Sequence, residues 1–183
     1  MKKYEFTGET KQVGFFGNIT LKRIRATMEF GIIKIGDLGG WIEKEENLSH
    51  KGDAWVYGDA EVYGDAEVYG NAWVYGNAWV YGNAKVYGNA WVYGNAKVCG
   101  DAKVFSISHV LVIGPIGSRN DFTTFFRDKD DEITIKCGCF LGKIDKFLEK
   151  VCETHGDSKY AIVYRTAVEI AKQQIDLSEE KQL

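Results

Sequence analysis

From residue 52 to residue 105 the chain alternates small apolar, variable, β-branched and aromatic positions, and resets every six residues, nine times in succession. The unit reads Gly-Asp/Asn-Ala-x-Val-Tyr, with alanines running from Ala54 to Ala102 and valines from Val56 to Val104. A strand sends successive side chains to opposite faces, so Ala and Val share one face while x and Tyr share the other. Gly followed by Asn or Asp supplies a corner, because both residue types tolerate left-handed backbone angles. Strands of about four residues joined by identical two-residue corners do not make hairpins. They predict a coil that turns the same way each time and stacks each strand on its copy below.

Ala and Val in these two positions of every unit resemble the left-handed β-helix hexapeptide family, in which an aliphatic residue fills the interior and a small residue stands two positions before it. The resemblance implies three units per coil, a left-handed path and a rod that commonly trimerises about a threefold axis. Nine units then make three coils, about 14 Å of rod at the usual strand spacing. The register extends outward in degraded form. Ile42 and Leu48 precede Ala54 by multiples of six, and Val110 and Ile116 follow Val104 by the same step. Roughly four coils are expected, from near Gly40 to near Gly117.

Sorting the x positions by coil gives three outer faces. One carries Trp55, Trp73 and Trp91 flanked by Tyr57, Tyr75 and Tyr93. A second carries Glu61, Trp79 and Lys97, and the third carries Glu67, Lys85 and Lys103. The first is an aromatic stripe too large to leave in water on a monomer. It predicts a covering by the same chain or an oligomer interface made of these six residues, with a sugar- or base-stacking platform as a further reading. The charged face reads as solvated.

The flanks complete a mostly β architecture of three parts: an N-terminal β cap over 1–40, the β-helix over 41–117 and a small α+β unit over 118–183. Residues 1–40 alternate like strands, as in Ile19-Thr20-Leu21-Lys22 and from Phe30 to Ile35, and an open β-helix end needs a cap. In the third part, Phe122–Arg127 and Ile133–Cys137 read as two strands. Residues 142–155 read as a helix with Ile144, Phe147, Leu148, Val151 and Cys152 on one face. A second helix over 158–175 places Ala161, Tyr164, Ala167, Val168 and Ala171 at helical spacing, giving a ββαα unit. The tail 178–183 is polar and expected to fray.

Two segments carry a further resemblance. Gly-Asp-Leu-Gly-Gly-Trp-Ile-Glu-Lys-Glu-Glu-Asn-Leu-Ser, residues 36–49, is similar to the lead-in of uncharacterised bacterial and phage proteins, some labelled as transferases. Ile-Gly-Ser-Arg-Asn-Asp at 116–121 and Cys-Gly-Cys-Phe at 137–140 resemble a recurrent segment of phage and mobile-element proteins.

Composition narrows the chemistry. A formal charge of −3 argues against a nucleic-acid binder driven by a basic surface. The charged first residues do not resemble a signal peptide, no stretch approaches membrane-spanning length, and four cysteines are too few for a disulfide scaffold. Reduced thiols in a cytoplasm are expected.

The most site-like stretch is Gly114 to Asp121. Its glycines let backbone amides approach an anion, Ser118 offers a hydroxyl, and Arg119 offers a planar fork suited to phosphate or carboxylate. Asn120, Asp121, Thr123 and Thr124 complete the candidate ligand-binding set. The plainer alternative is an irregular connector whose arginine pairs with a nearby acid. Cys137-Gly138-Cys139 with Cys152 or His155 has tighter spacing than structural zinc prefers, so buried thiols are expected and no metal. His155 ends a helix, where a cation suits the dipole. An acyltransferase of the hexapeptide family would require a histidine base, and the nine units contain none. His50 and His109 stand just outside them.

The reading is a non-enzymatic, cytoplasmic, homotrimeric binding protein without a cofactor, taking a small anion such as a nucleotide, or a partner protein. If the phage resemblance holds, it would sequester a host signalling nucleotide or block a host defence protein. The alternatives are an acyltransferase-like enzyme and a structural scaffold.

Overall fold

The computed structural model describes residues 2–14 and 16–178, so the expected tail lies, beyond Ser178, outside the described residues. An N-terminal hairpin of β1 (Tyr4–Val13) and β2 (Ile19–Ala26) leads to β3 (Leu38–Ile42). The repeats then give nine two-residue strands, β4 to β12. They lie at Trp55–Val56, Glu61–Val62, Glu67–Val68, Trp73–Val74, Trp79–Val80, Lys85–Val86, Trp91–Val92, Lys97–Val98 and Lys103–Val104. Each of the first six pairs in parallel with the strand three units ahead: Trp55 with Trp73, Glu61 with Trp79, Glu67 with Lys85, and so to the end of the rod. The coil therefore has three sides, and the three faces sorted from the sequence are the three sheets. Every repeat alanine and valine is buried, forming an interior of small aliphatic side chains. At the corners glycine is obligatory. Gly76 has φ 74°, and a Cβ there would meet the backbone nitrogen of Gly94, one coil on, at 3.1 Å.

Two ends of the rod depart from the repeat phase. Ile42 pairs with Val62, and Leu48 bridges to Val68, so both fill valine positions rather than lying in phase with Ala54. The chain carries two extra residues between Leu48 and Val56, in the segment around His50. At the other end the phase does not continue to Val110 and Ile116. These residues lie in β13 (Val110–Ile116), which pairs antiparallel with β14 (Asp121–Arg127). No glycine occurs between Gly100 and Gly114, so no left-handed corner is available to start another side. With the two sides at Ile42 and Leu48 added to the nine, the rod makes about four turns.

At the strand ends and corners each coil donates backbone N–H groups to carbonyls of the next, as in Trp55 to Ala72 (3.0 Å) and Tyr57 to Val74 (2.9 Å). In this set of bonds the N-terminal end of the rod leaves carbonyls with no preceding coil to donate to them, and the C-terminal end leaves N–H groups with no following coil to receive them. Side chains from the flanks answer this polarity. The Lys3 ammonium donates to Gly52 O (3.3 Å) and Ala54 O (2.6 Å), and the Asn47 amide donates to Gly64 O (3.0 Å) and Ala66 O (2.8 Å). On the third side β3 donates from Trp41 and Glu43 to Ala60 O and Val62 O. At the far end the Thr124 hydroxyl accepts from the Lys97 N–H at 2.9 Å.

Beyond the rod, β13 and β14 join β15 (Ile133–Cys137) and β16 (Phe140–Lys143) in a four-stranded antiparallel sheet, followed by α1 (Ile144–His155) and α2 (Lys159–Gln174). The unit has four strands rather than the two expected. β13 reads as a degraded repeat, and the short β16 contains the glycine taken for the helix start. Its sheet divides two cores: Phe126 joins the rod interior while Phe125 packs with Phe147, Tyr164 and Val168 under the helices. The expected inner face of α2 is buried at all five positions. On α1 only Phe147 and Val151 are buried, and Cys152 points outward. The run from Phe30 to Ile35 is a tight turn closed by a Phe30–Ile33 bridge rather than a strand. Among the described residues no helix is long and apolar enough to cross a membrane.

Candidate functional site at two hairpin tips

The β13–β14 turn carries Ser118, Arg119 and Asn120, all exposed, and Asn120 adopts φ 50°. It stands beside the β15–β16 turn, where Gly138 has φ 56°. Two glycines permit this approach. A Cβ on Gly117 would fall 1.9 Å from the Tyr164 hydroxyl oxygen, and one on Gly138 would fall 2.4 Å from an Arg119 terminal nitrogen. The Arg119 guanidinium therefore lies across the second turn, and the Lys136 ammonium donates to Gly138 O at 2.7 Å. Among the described residues no carboxylate forms an ion pair with Arg119, so its fork is open to solvent. Asp121, half-buried, accepts from the Phe122 N–H at 2.7 Å.

The remaining members of the expected set lie deeper. Thr123 and Thr124 are buried. The Thr123 hydroxyl donates to the Cys137 sulfur at 3.3 Å, and that of Thr124 is committed to the rod end. Their alternation along β14 sends one hydroxyl to each side of the sheet. Ser118, Arg119 and Asn120 are thus brought together at the surface, with Lys136, Cys137 and Tyr164 as neighbours that sequence reasoning missed. The resemblance at 116–121 and 137–140 pointed to both turns. Nothing in the sequence placed them side by side or added α2. Burial pushes Tyr164 up to about 12, with the Cys137 thiol close by adding to the rise and Arg119 opposing it.

The cysteines do not follow the expectation of buried thiols. Cys99 is buried, Cys137 half-buried, and Cys139 and Cys152 exposed, since the first of these two sits on a turn and the second on the outer face of α1. His155 ends α1 as expected and stacks on Tyr164 with ring centroids 5.7 Å apart.

The histidines flanking the repeats are committed to other work. His109 is fully buried and packs edge-on against Phe105 at 4.3 Å; its Nδ1 faces the Phe105 N–H at 3.3 Å and its Nε2 lies 3.2 Å from the Arg127 guanidinium, so donors meet both ring nitrogens. His50 borders a cleft of about 530 Å³ with Glu45, Glu46, Ser49, Glu67 and Tyr69. Its Nδ1 accepts the Lys3 N–H at 3.2 Å, so the ring proton resides on Nε2, 3.8 Å from the Glu45 carboxylate. Burial pushes its pKa down. In this state the protonated Nε2 is itself shut off from solvent and makes no hydrogen bond, so His50 presents no free lone pair to the cleft.

The aromatic stripe is divided. Trp55 is fully buried under Tyr4 (6.3 Å) and Phe30 (5.3 Å) of the N-terminal segment. The rest of the face is less covered: Trp73 and Tyr75 are half-buried, while Tyr57 is 51%, Trp91 45% and Tyr93 47% exposed. The charged face is solvated, with Glu67 and Lys85 paired at 3.5 Å and each about half exposed.

No known family profile matches the chain. Over 62 residues, 31% of this chain, it is 32% identical to the uncharacterized acetyltransferase YdcK of Escherichia coli (strain K12). That stretch is 19% of the relative's own length, so the chain spans about a fifth of it. The match and the three-sided rod of about four turns fit a hexapeptide-repeat β-helix.

Proposed function

We propose that this chain is a non-catalytic binding protein in which the rod holds together a homo-oligomer, with a trimer as the expected form, and the two hairpin tips bind a small anion. The observation that carries this reading is the Arg119 guanidinium, exposed, without a carboxylate partner among the described residues, and laid over Gly138 beside Lys136. An arginine held this way presents a planar pair of donors, which suits a phosphate better than a point charge does. Ser118 and Asn120 on the same turn add neutral hydrogen-bonding groups. A nucleotide would bring a phosphate to these groups. Were the phage resemblance to hold, the use would be sequestering a host signalling nucleotide or shielding the phage from a defence protein. The exposed outer part of the aromatic face supports association between copies.

An acyltransferase is the second reading, favoured by the match to a protein named as an acetyltransferase. The Lys3 N–H on the His50 Nδ1, and the Phe105 N–H and Arg127 guanidinium on the two nitrogens of His109, speak against a histidine base at either position. Mass spectrometry of small molecules released from gently purified protein tests the first reading. A stoichiometric phosphate-bearing compound is expected. Protein that releases no such compound, yet transfers acetyl groups, would establish the second reading in its place.

A further inference from the structure

Two thiols flank Gly138 on the β15–β16 turn. Cys137 ends β15, half-buried, and Cys139 follows one residue later, exposed. The Cys137 sulfur accepts a hydrogen bond from the Thr123 hydroxyl at 3.3 Å and lies close to Tyr164. Cationic groups meet the turn between them: Lys136 on the Gly138 carbonyl and Arg119 across its α-carbon. Partly exposed, electropositive surroundings of this kind are where exchanging thiols are found. Residues two apart on a bent chain have α-carbons about 5–6 Å apart, inside the range of about 4.4–6.8 Å that a disulfide spans. Gly138, at φ 56°, gives the turn a joint with no side chain to hinder its adjustment.

We propose that Cys137 and Cys139 form a reversible dithiol–disulfide pair that exchanges with low-molecular-weight disulfides such as oxidised glutathione. Cys139, the accessible member, loses its proton to solvent and attacks one sulfur of the small disulfide. A mixed disulfide forms, and the first small thiolate leaves and takes up a proton. Cys137 gives up its proton and attacks the Cys139 sulfur, closing the 137–139 bond and releasing the second small thiol. Two protein thiols are oxidised and one small disulfide is reduced to two thiols. Closure draws the Cys137 sulfur away from the Thr123 hydroxyl, so that contact holds the reduced state. The other two cysteines provide internal comparisons. Cys99 is buried in the rod beside Tyr81, with its thiol pushed up by burial, and Cys152 is exposed on α1 with no thiol next to it in sequence. This inference stands independently of anion binding.

The test equilibrates the full chain in mixtures of reduced and oxidised glutathione, quenches with an alkylating agent, and reads intact mass and peptide maps. With the alkylation carried out in denaturant, the expected oxidised species carries the 137–139 bond and is alkylated only at Cys99 and Cys152, two adducts fewer than the reduced protein. Cys139→Ser should lose that species. Cys137→Ser should instead accumulate glutathione on Cys139, and circular dichroism verifies that both variants are folded. Wild-type protein that carries glutathione on Cys139 without closing the internal bond overturns the proposal, as does protein that stays reduced at Cys139 while Cys152 is modified.

Discussion

Replacing Thr124 by valine isolates one hydrogen bond at the junction between the rod and the C-terminal unit. The rod ends in N–H groups with no further coil to receive them, and the buried Thr124 hydroxyl accepts one of them, from Lys97, at 2.9 Å. Valine keeps the shape of threonine, so no cavity opens, but the Lys97 N–H loses its acceptor in a buried place. Such an unsatisfied donor costs about 1–3 kcal/mol. For a chain of this size each kcal/mol lowers Tm by about 2–4 °C. Thr124→Ser keeps the oxygen and loses only a methyl group, a change of about 1 kcal/mol or less. Thr20→Val, whose hydroxyl pairs with Gln12 at the surface, should be close to neutral. Thermal melts followed by circular dichroism, with hydrogen exchange at the Lys97 amide, give the readout. If Thr124→Val melts like the wild type and Lys97 stays equally protected, the polarity argument for how the rod is capped is wrong.

Three other outcomes follow from the same geometry. Val80→Asp places a carboxyl among alanines and valines at a position with no exposure, forfeiting about 1.5–3 kcal/mol of burial and adding an unpaired polar group. Lys85→Glu on the solvated face should cost about 1 kcal/mol or less, as urea denaturation of the pair will show. Trp91→Glu puts a charge on the exposed part of the aromatic face, and light scattering should report a smaller species with its β-type circular dichroism intact. Stability should depend on alkaline pH in two windows. Burial lowers Lys3 to about 8, so the unfolded chain binds a proton that the folded chain does not, and stability rises from about pH 8 towards 10. Tyr63 and Tyr164 are raised to about 12, Tyr63 chiefly by burial, so their contribution is complete below pH 10 and fades between 10 and 12. Lys3→Met should abolish the rise and leave the fall.

The rod was legible because its information is local and repeated: alanine, valine and a glycine corner state the interior, the pleat and the turn in every unit. Phase was lost where the repeat degrades. Ile42 and Leu48 match the interior in type, but the two extra residues around His50 shift them onto valine positions, an offset that pairing with Val62 and Val68 reveals. Val110 and Ile116 keep the step of six without the glycine corners, and a neighbouring strand captured them. Of the candidate site, Ser118 and Arg119 were visible as a glycine-flanked polar turn. The approach of Gly138 and Tyr164 was not, because it depends on how β15, β16 and α2 pack. Thr123 and Thr124 look alike in sequence, yet the strand pleat sends one to Cys137 and the other to Lys97.

Calorimetric titration of a nucleoside triphosphate and of inorganic phosphate into wild-type protein, Arg119→Ala and Arg119→Lys tests the binding account most directly. The account predicts saturable binding to the wild type that weakens by about 1.5–3 kcal/mol in Arg119→Ala, tenfold or more in Kd, with an unchanged melting temperature. Arg119→Lys should recover only part of the loss, because an ammonium lacks the planar fork. Equal affinity of Arg119→Ala and wild type, or no binding of either anion by the wild type, would contradict it.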